Sequence, residues 1–246
     1  MRRQGFTLVE LLVALGILSL LLGVVLAFTQ SSARLERTQR AQALLAEDLS
    51  LTATVLAREV YLAGYKVSSG NPFILTAGTS NDDKDEIVLR FFCETDTDME
   101  LYCSSRTMGA VRRVAYRLAN QTLYWGACKD GDCANFQASH PVMDGVEVFR
   151  VAYRSGGSWS RSEVRVSASA SGNNPKVEMV AVYLLARSPV RTGAPAFTPG
   201  STVDWSAVPD GDALRSVLGL GALTLTQDGH PRAERLVAVQ TPNLAR

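Results

Sequence analysis

Residues 5 to 28 read Gly5-Phe6-Thr7-Leu8-Val9-Glu10-Leu11-Leu12-Val13-Ala14-Leu15-Gly16-Ile17-Leu18-Ser19-Leu20-Leu21-Leu22-Gly23-Val24-Val25-Leu26-Ala27-Phe28. From Phe6 to Phe28 there are 23 residues, and Glu10 is the only charged one. Coiled as a helix, that run reaches across roughly 30 Å of hydrocarbon, so it predicts a membrane span. Arg2 and Arg3 stand just before it, which predicts a cytoplasmic N-terminus and an exported remainder. A secretory signal has its small-residue cleavage site behind the apolar region. Here the small residue, Gly5, stands in front.

A carboxylate at bilayer depth costs roughly 2.5 to 3.5 kcal/mol on insertion scales, so Glu10 needs a cation. Cleavage after Gly5 would make the amine of Phe6 the new N-terminus. That amine lies four residues before Glu10 on the same helix face. It could offset the cost within one chain, or between neighbours staggered along an assembly.

The run from Arg2 to Leu15, Arg-Arg-Gln-Gly-Phe-Thr-Leu-Val-Glu-Leu-Leu-Val-Ala-Leu, resembles the N-terminal signature of type IV prepilins and type II secretion pseudopilins. The resemblance implies a leader of residues 1–5 ending at the cleavage site Gly5, a prepilin peptidase that also N-methylates Phe6, and Glu10 as the assembly carboxylate. It further implies other pilins, major and minor, and an inner-membrane assembly platform as partners, with a motor ATPase acting indirectly. The subunit would wait in the bacterial inner membrane and pass to the periplasm and a surface pilus. No cofactor is implied.

Beyond the span no proline occurs before Pro72, so the helix can continue. Leu35, Leu45, Leu49, Leu56 and Val60, with Leu44, Leu51, Val55 and Leu62 beside them, recur at helical spacing, and the charged residues fall mostly on other faces. One helix from Phe6 to about Ala63 would be roughly 85 to 90 Å long. Gly64 is placed to end it. The expected organisation is therefore a leader 1–5, a membrane or filament-core half 6–28, an amphipathic half 29–64 packed on the domain that follows, and an exported β-rich domain 65–246. The stretch from Ala57 to Tyr65 resembles the end of the first helix in minor pilins of the W type and minor pseudopilins of the J type, which points to a minor subunit.

After Tyr65 short apolar or alternating runs are separated by Gly, Asn, Asp and Pro, the texture of strands and turns. Strands are expected at 86–93, 110–118, 121–127, 145–154, 177–187 and 233–240. Ala119-Asn120-Gln121 makes a tight turn that predicts antiparallel pairing. Residues 188–213, with four prolines among several glycines, read as a long loop. Residues 225–243 resemble the last strand region of the same minor-pilin group. The fold class is α+β: a long N-terminal helix on an antiparallel sheet, the pilin fold.

Cys93, Cys103, Cys128 and Cys133 all follow the span. An even count in an exported domain reads as two disulfides. Three pairings are possible, and the turn-forming Lys129-Asp130-Gly131-Asp132 favours Cys93 with Cys103 and Cys128 with Cys133. A four-thiolate zinc site lacks the C-x2-C spacing. The acidic runs 81–86 and 94–100 supply oxygen ligands but miss the calcium-loop pattern, so they read as solvated acids and no metal site is expected.

His140 and His230 each adjoin a proline, and neither a G-x-S-x-G elbow nor a phosphate loop accompanies them. No enzyme is expected. The formal charge is +1, and loss of Arg2 and Arg3 would leave 23 basic against 24 acidic residues. Net charge therefore gives no nucleic-acid footprint. Trp125, Trp159, Arg161, Arg165 and Trp205 would form a tip-binding surface for DNA or another ligand only if they cluster while exposed; buried tryptophans are the plainer reading. Three functions follow: a minor pilin supporting pilus assembly, twitching, adhesion or natural transformation; a minor pseudopilin of type II secretion; or a tip-located adhesin or DNA-binding module.

Overall fold

A computed structural model describes residues 8–78, 85–94, 109–127, 140–168 and 175–245. Helix α1 runs from Leu8 to Leu62 without a break. It is unbroken because no proline interrupts it, and its hydroxyls turn back on the helix. Ser19 Oγ donates to Gly16 O at 2.8 Å and Thr29 Oγ1 to Leu26 O at 2.9 Å. Its buried positions are Leu45, Leu49, Thr52, Ala53, Leu56, Glu59 and Val60, in steps of three and four that lay one stripe on the domain. Leu35, Leu44, Leu51 and Val55 are exposed instead. The expected stripe was too wide, because hydrophobicity alone does not tell the buried face from an apolar face beside it. The helix ends at Gly64, whose φ of +83° suits the left-handed cap. Leu62 O accepts from Tyr65 N at 2.9 Å, and Gly64 N turns away to Arg90 O at 2.8 Å.

Among the described residues ten strands follow: β1 Phe73–Thr76, β2 Glu86–Phe92, β3 Val111–Ala119, β4 Thr122–Ala127, β5 His140–Asp144, β6 Val146–Ser155, β7 Ser158–Ser160, β8 Val164–Val166, β9 Met179–Arg187 and β10 Arg232–Gln240. They form two sheets, ordered β5-β4-β3-β2-β1-β8 and β10-β9-β6-β7. Every strand pairing among the described residues is antiparallel. Asn120 at φ +50° and Gln121 at φ +62° form the tight β3–β4 turn. The six expected strands are all present, most with ends shifted by a residue or two. The short β1, β5, β7 and β8 were not expected.

Strands β6 and β9 are buried on both faces. On one face Phe149, Val151, Val180, Val182 and Leu184 share a core with α1 and with Leu75, Ile87, Leu89, Phe91 and Leu123 of the six-stranded sheet. On the other face Val148, Ala152, Ala181, Tyr183 and Leu185 meet Leu214, Leu218 and Leu220. Those leucines belong to the excursion between β9 and β10. The stretch 188–213, expected as a loop, carries a 3-10 turn at Trp205–Ala207, and helix α2, Gly211–Val217, begins inside it. The turn forms because the Asp204 side chain accepts from Ser206 N at 3.1 Å.

Gly145 alone joins β5 of one sheet to β6 of the other. Its φ is +76°, and an added Cβ would lie 2.4 Å from the carbonyl oxygen of Arg187. That oxygen is backbone and cannot swing aside. We expect Gly145→Ala to destabilise the domain by about 2 to 3 kcal/mol through strain at a left-handed residue and this clash. Urea unfolding of the detergent-solubilised chain reads it, and a change below about 0.5 kcal/mol would contradict the account.

Candidate functional site

Two parts of α1 behave differently. From Leu8 to Leu44 no residue is buried, and the apolar side chains from Leu8 to Phe28 stay exposed all round the helix. A helix apolar all round belongs in a membrane or inside an assembly. This one is long and apolar enough to cross a membrane. Glu10 lies in its first turn, while Gly5 and Phe6 lie outside the described residues. Gly16 and Gly23 have no neighbouring chain within 4 Å of an added Cβ, so in the single subunit nothing in the domain requires a glycine there.

The second part is a cleft between α1 and the six-stranded sheet. Leu51, Thr52, Val55 and Glu59 of α1 face Arg112, Tyr116, Trp125, His140 and Val142 across about 400 Å³. The Trp125 and His140 rings lie 5.4 Å apart, and the Arg112 guanidinium sits 5.0 Å over Trp125. Glu59 is buried at the cleft floor. The Tyr116 hydroxyl donates to Glu59 Oε2 at 2.7 Å, and Arg112 approaches Oε1 at 3.9 Å. Burial pushes the Glu59 carboxyl above its ordinary range, and Tyr116 and Arg112 pull it only part of the way back.

This has a defined sign. A carboxyl raised in the folded state binds its proton longer than in the unfolded chain, so stability falls as pH rises between the two values. We expect the wild type to lose stability relative to Glu59→Gln as pH rises from about 4.5, with a slope of at most about 1.4 kcal/mol per pH unit. Paired urea titrations across mildly acidic pH measure the difference, and a constant difference would contradict it.

The remaining candidates resolve into structural roles or fall outside view. Cys93 is buried and disulfide-bonded, while Cys103, Cys128 and Cys133 lie outside the described residues. Gly109 N donates to Cys93 O at 2.7 Å and Cys93 N to Ala110 O at 3.0 Å. Most of both acidic runs is likewise outside. Asp85 is described and is not solvated: it is fully buried and ion-paired to Arg161. Its neighbours could not reveal this, since Asp85 sits in a run of acids that reads as loop. Among the described residues no cluster of His, Cys, Asp and Glu could hold a metal ion. His230 Nδ1 lies 2.8 Å from Ser188 O.

The tryptophans do not gather on one surface. Trp125 is in β4 of the six-stranded sheet. Trp159 is buried with Nε1 donating to Pro209 O at 2.8 Å, and Trp205 donates to Gly200 O at 3.0 Å. Both pack in the core of the excursion, and Arg161 is spent on Asp85.

A long helix left bare over its apolar half, with a carboxylate in its first turn and an antiparallel β domain packed on its far end, defines a type IV pilin or pseudopilin-like structural subunit. Residues 44–244 match the family described as type IV pilin Tt1219, and residues 1–26 match the prokaryotic N-terminal methylation motif. The chain belongs to the Tt1219-like type IV pilin family, whose members are structural and not enzymes. The solved type IV-like pilin TTHA1219 from Thermus thermophilus is 42% identical, with a TM-score of 0.67 over 82% of this chain and 98% of that one. The GspK-GspI-GspJ complex of the enterotoxigenic Escherichia coli type 2 secretion system gives 16% identity and a TM-score of 0.37, covering 58% of this chain and 89% of that one. Comparison with curated proteins finds no match.

Proposed function

We propose that this chain is a minor type IV pilin that enters a pilus as a priming or tip subunit, supporting twitching motility, adhesion or DNA uptake. The observation that carries this is the helix from Leu8 to Leu44, none of which its own domain buries. Such a surface needs other subunits once it leaves the bilayer. Before assembly the subunit crosses the inner membrane once with its N-terminus in the cytoplasm. The prepilin peptidase cuts after Gly5 and methylates Phe6, the new amine faces Glu10, and the assembly platform passes the subunit to other pilins. In the exported domain the local pairing Cys93–Cys103 and Cys128–Cys133 closes two short loops. The backbone bonds from Cys93 to Gly109 and Ala110 support the first, since they bring together the two ends of the segment that contains Cys103.

Intact mass of the chain from native membranes and from sheared surface fibres tests the reading. The expected species lacks residues 1–5, carries one added methyl, and occurs in the fibre fraction. An uncut N-terminus would make the segment a plain anchor. A processed chain that never leaves the cell envelope, in cells whose protein secretion depends on it, would place it in a type II secretion pseudopilus instead.

A further inference from the structure

Strand β10 differs from the other edge strands among the described residues. It closes one side of the four-stranded sheet with nine residues, and its register against β9 runs unbroken from Arg232 to Gln240. The other edges are blunted, as the edges of folded proteins usually are. Strands β7 and β8 have three residues each, while β5 contains Pro141 and lies beside a register shift. Ser188 N donates to Pro231 O at 2.8 Å and Thr241 N to Glu178 O at 2.9 Å, so the odd-numbered residues of β10 are those that bond to β9. The N–H and C=O groups of Glu234, Leu236, Ala238 and Gln240 therefore point outward, and among the described residues no backbone group meets them. Both faces of β10 are covered: Val237 and Val239 pack in the core under α1, Leu236 and Ala238 in the core of the excursion. The edge between those faces stays open. Beside it Val203, Ala207 and Val208 face Leu236 and Ala238 across about 540 Å³.

We propose that this edge receives an extended segment of another pilin, which adds to the four-stranded sheet as a fifth strand. The inference rests on the pilin reading, in which the neighbours are other pilins. The chemistry selects an extended backbone as the occupant. The outward groups alternate donor and acceptor and repeat every two residues, roughly 6.8 Å. A neighbouring strand matches that pattern, whereas a helix has already used its backbone groups internally. Alternate side chains of the added strand would point into the cleft, where Leu236, Ala238 and Val203 favour small aliphatic groups. Arg235 is exposed, and no ion pair among the described residues includes it. The added strand therefore carries an acidic residue beside Arg235. One edge takes one strand, so the contact suits a subunit at the start or tip of a fibre and does not propagate through copies of this chain.

The test uses the full-length chain in its native cells. Benzoylphenylalanine replaces Gln240, the exposed end of β10, and cells are irradiated before fibres are sheared and the cross-linked peptides identified by mass spectrometry. The expected product joins this chain to a segment of another pilin that has aliphatic residues at alternate positions and an acid among them. Ala238→Pro removes an outward N–H and leaves the ladder to β9 intact, a position in a sheet that tolerates proline. It should abolish the cross-link and lower recovery in sheared fibres by about tenfold, while the urea midpoint of the detergent-solubilised chain stays at the wild-type value. Arg235→Glu leaves the backbone alone and should weaken the cross-link several-fold. Where Ala238→Pro lowers the urea midpoint, the cross-link and Arg235→Glu decide. A cross-link to a second copy, or within this chain, would overturn another pilin as the occupant. Wild-type chains that enter fibres while Gln240 yields no cross-link and Arg235→Glu has no effect on recovery would overturn the edge contact and leave the pilin reading standing. An uncut wild-type chain absent from fibres would overturn the pilin reading and this inference with it.

Discussion

Replacing Glu10 by Ala should leave the chain cut and methylated yet reduce its recovery in sheared fibres by about tenfold or more. The carboxylate is itself costly in a bilayer. In the bilayer it opposes insertion by roughly 2.5 to 3.5 kcal/mol, so Glu10→Ala inserts at least as well as the wild type. Loss of assembly therefore cannot come from a failed anchor. It must come from a contact that the carboxylate makes, and we assign that contact to the amine of Phe6 that the proposed processing would create. Glu10→Gln separates charge from shape, since the amide oxygen can still accept a hydrogen bond from an ammonium but carries no charge to form an ion pair with it. Assembly of Glu10→Gln at the wild-type level, measured by immunoblot of fibre and membrane fractions, would remove the charge from the account.

The second large effect lies far from the membrane. Asp85 is fully buried, and four donors converge on it. Arg161 Nη2 and Nε lie at 2.6 and 3.0 Å, Val151 N at 2.7 Å and Gly78 N at 2.8 Å. Asp85 precedes β2 of the six-stranded sheet, Val151 lies in β6 of the four-stranded sheet, and Arg161 follows β7, so one carboxylate ties the two sheets together. Removing the guanidinium strands the charge with two amide donors. We expect Arg161→Ala to cost about 3 to 5 kcal/mol, the usual result of breaking one side of a buried pair. That is a large part of the roughly 5 to 15 kcal/mol that holds a domain folded. Urea unfolding at neutral pH reads it, and a loss below about 1 kcal/mol would show that water reaches Asp85 once Arg161 is gone.

These two residues mark what could and could not be read from the chain. Glu10 is conspicuous in the sequence because its surroundings are uniform: a lone charge in a 23-residue apolar run stands out whatever the tertiary structure. The end of α1 at Gly64 and the turn at Asn120-Gln121 were legible because local backbone geometry selects the residues. Strands β2, β3, β4, β6, β9 and β10 were legible because six to ten residues suffice to show a pattern. Strands β1, β5, β7 and β8, with three to five residues each, are too short to show one. Their partners across the sheet hold them in place. The division into two sheets, the burial of Asp85 and the packing of α2 all depend on contacts distant in sequence, and no window of neighbours contains that information. Leu44, Leu51 and Val55 failed for a subtler reason. They follow the helical period, but on a face that the domain leaves exposed.

The docking of α1 also has a mechanical side. Its buried positions run from Leu45 to Val60, about 22 Å of helix at 1.5 Å per residue. In a fibre under tension, load would enter the domain through this helix and along its axis. Contacts spread along the axis are then sheared together, where contacts gathered at one end would be peeled off one after another. The subunit is thus built to resist being pulled lengthwise more strongly than being pried sideways, and a tether attached at each end of the chain would feel the difference.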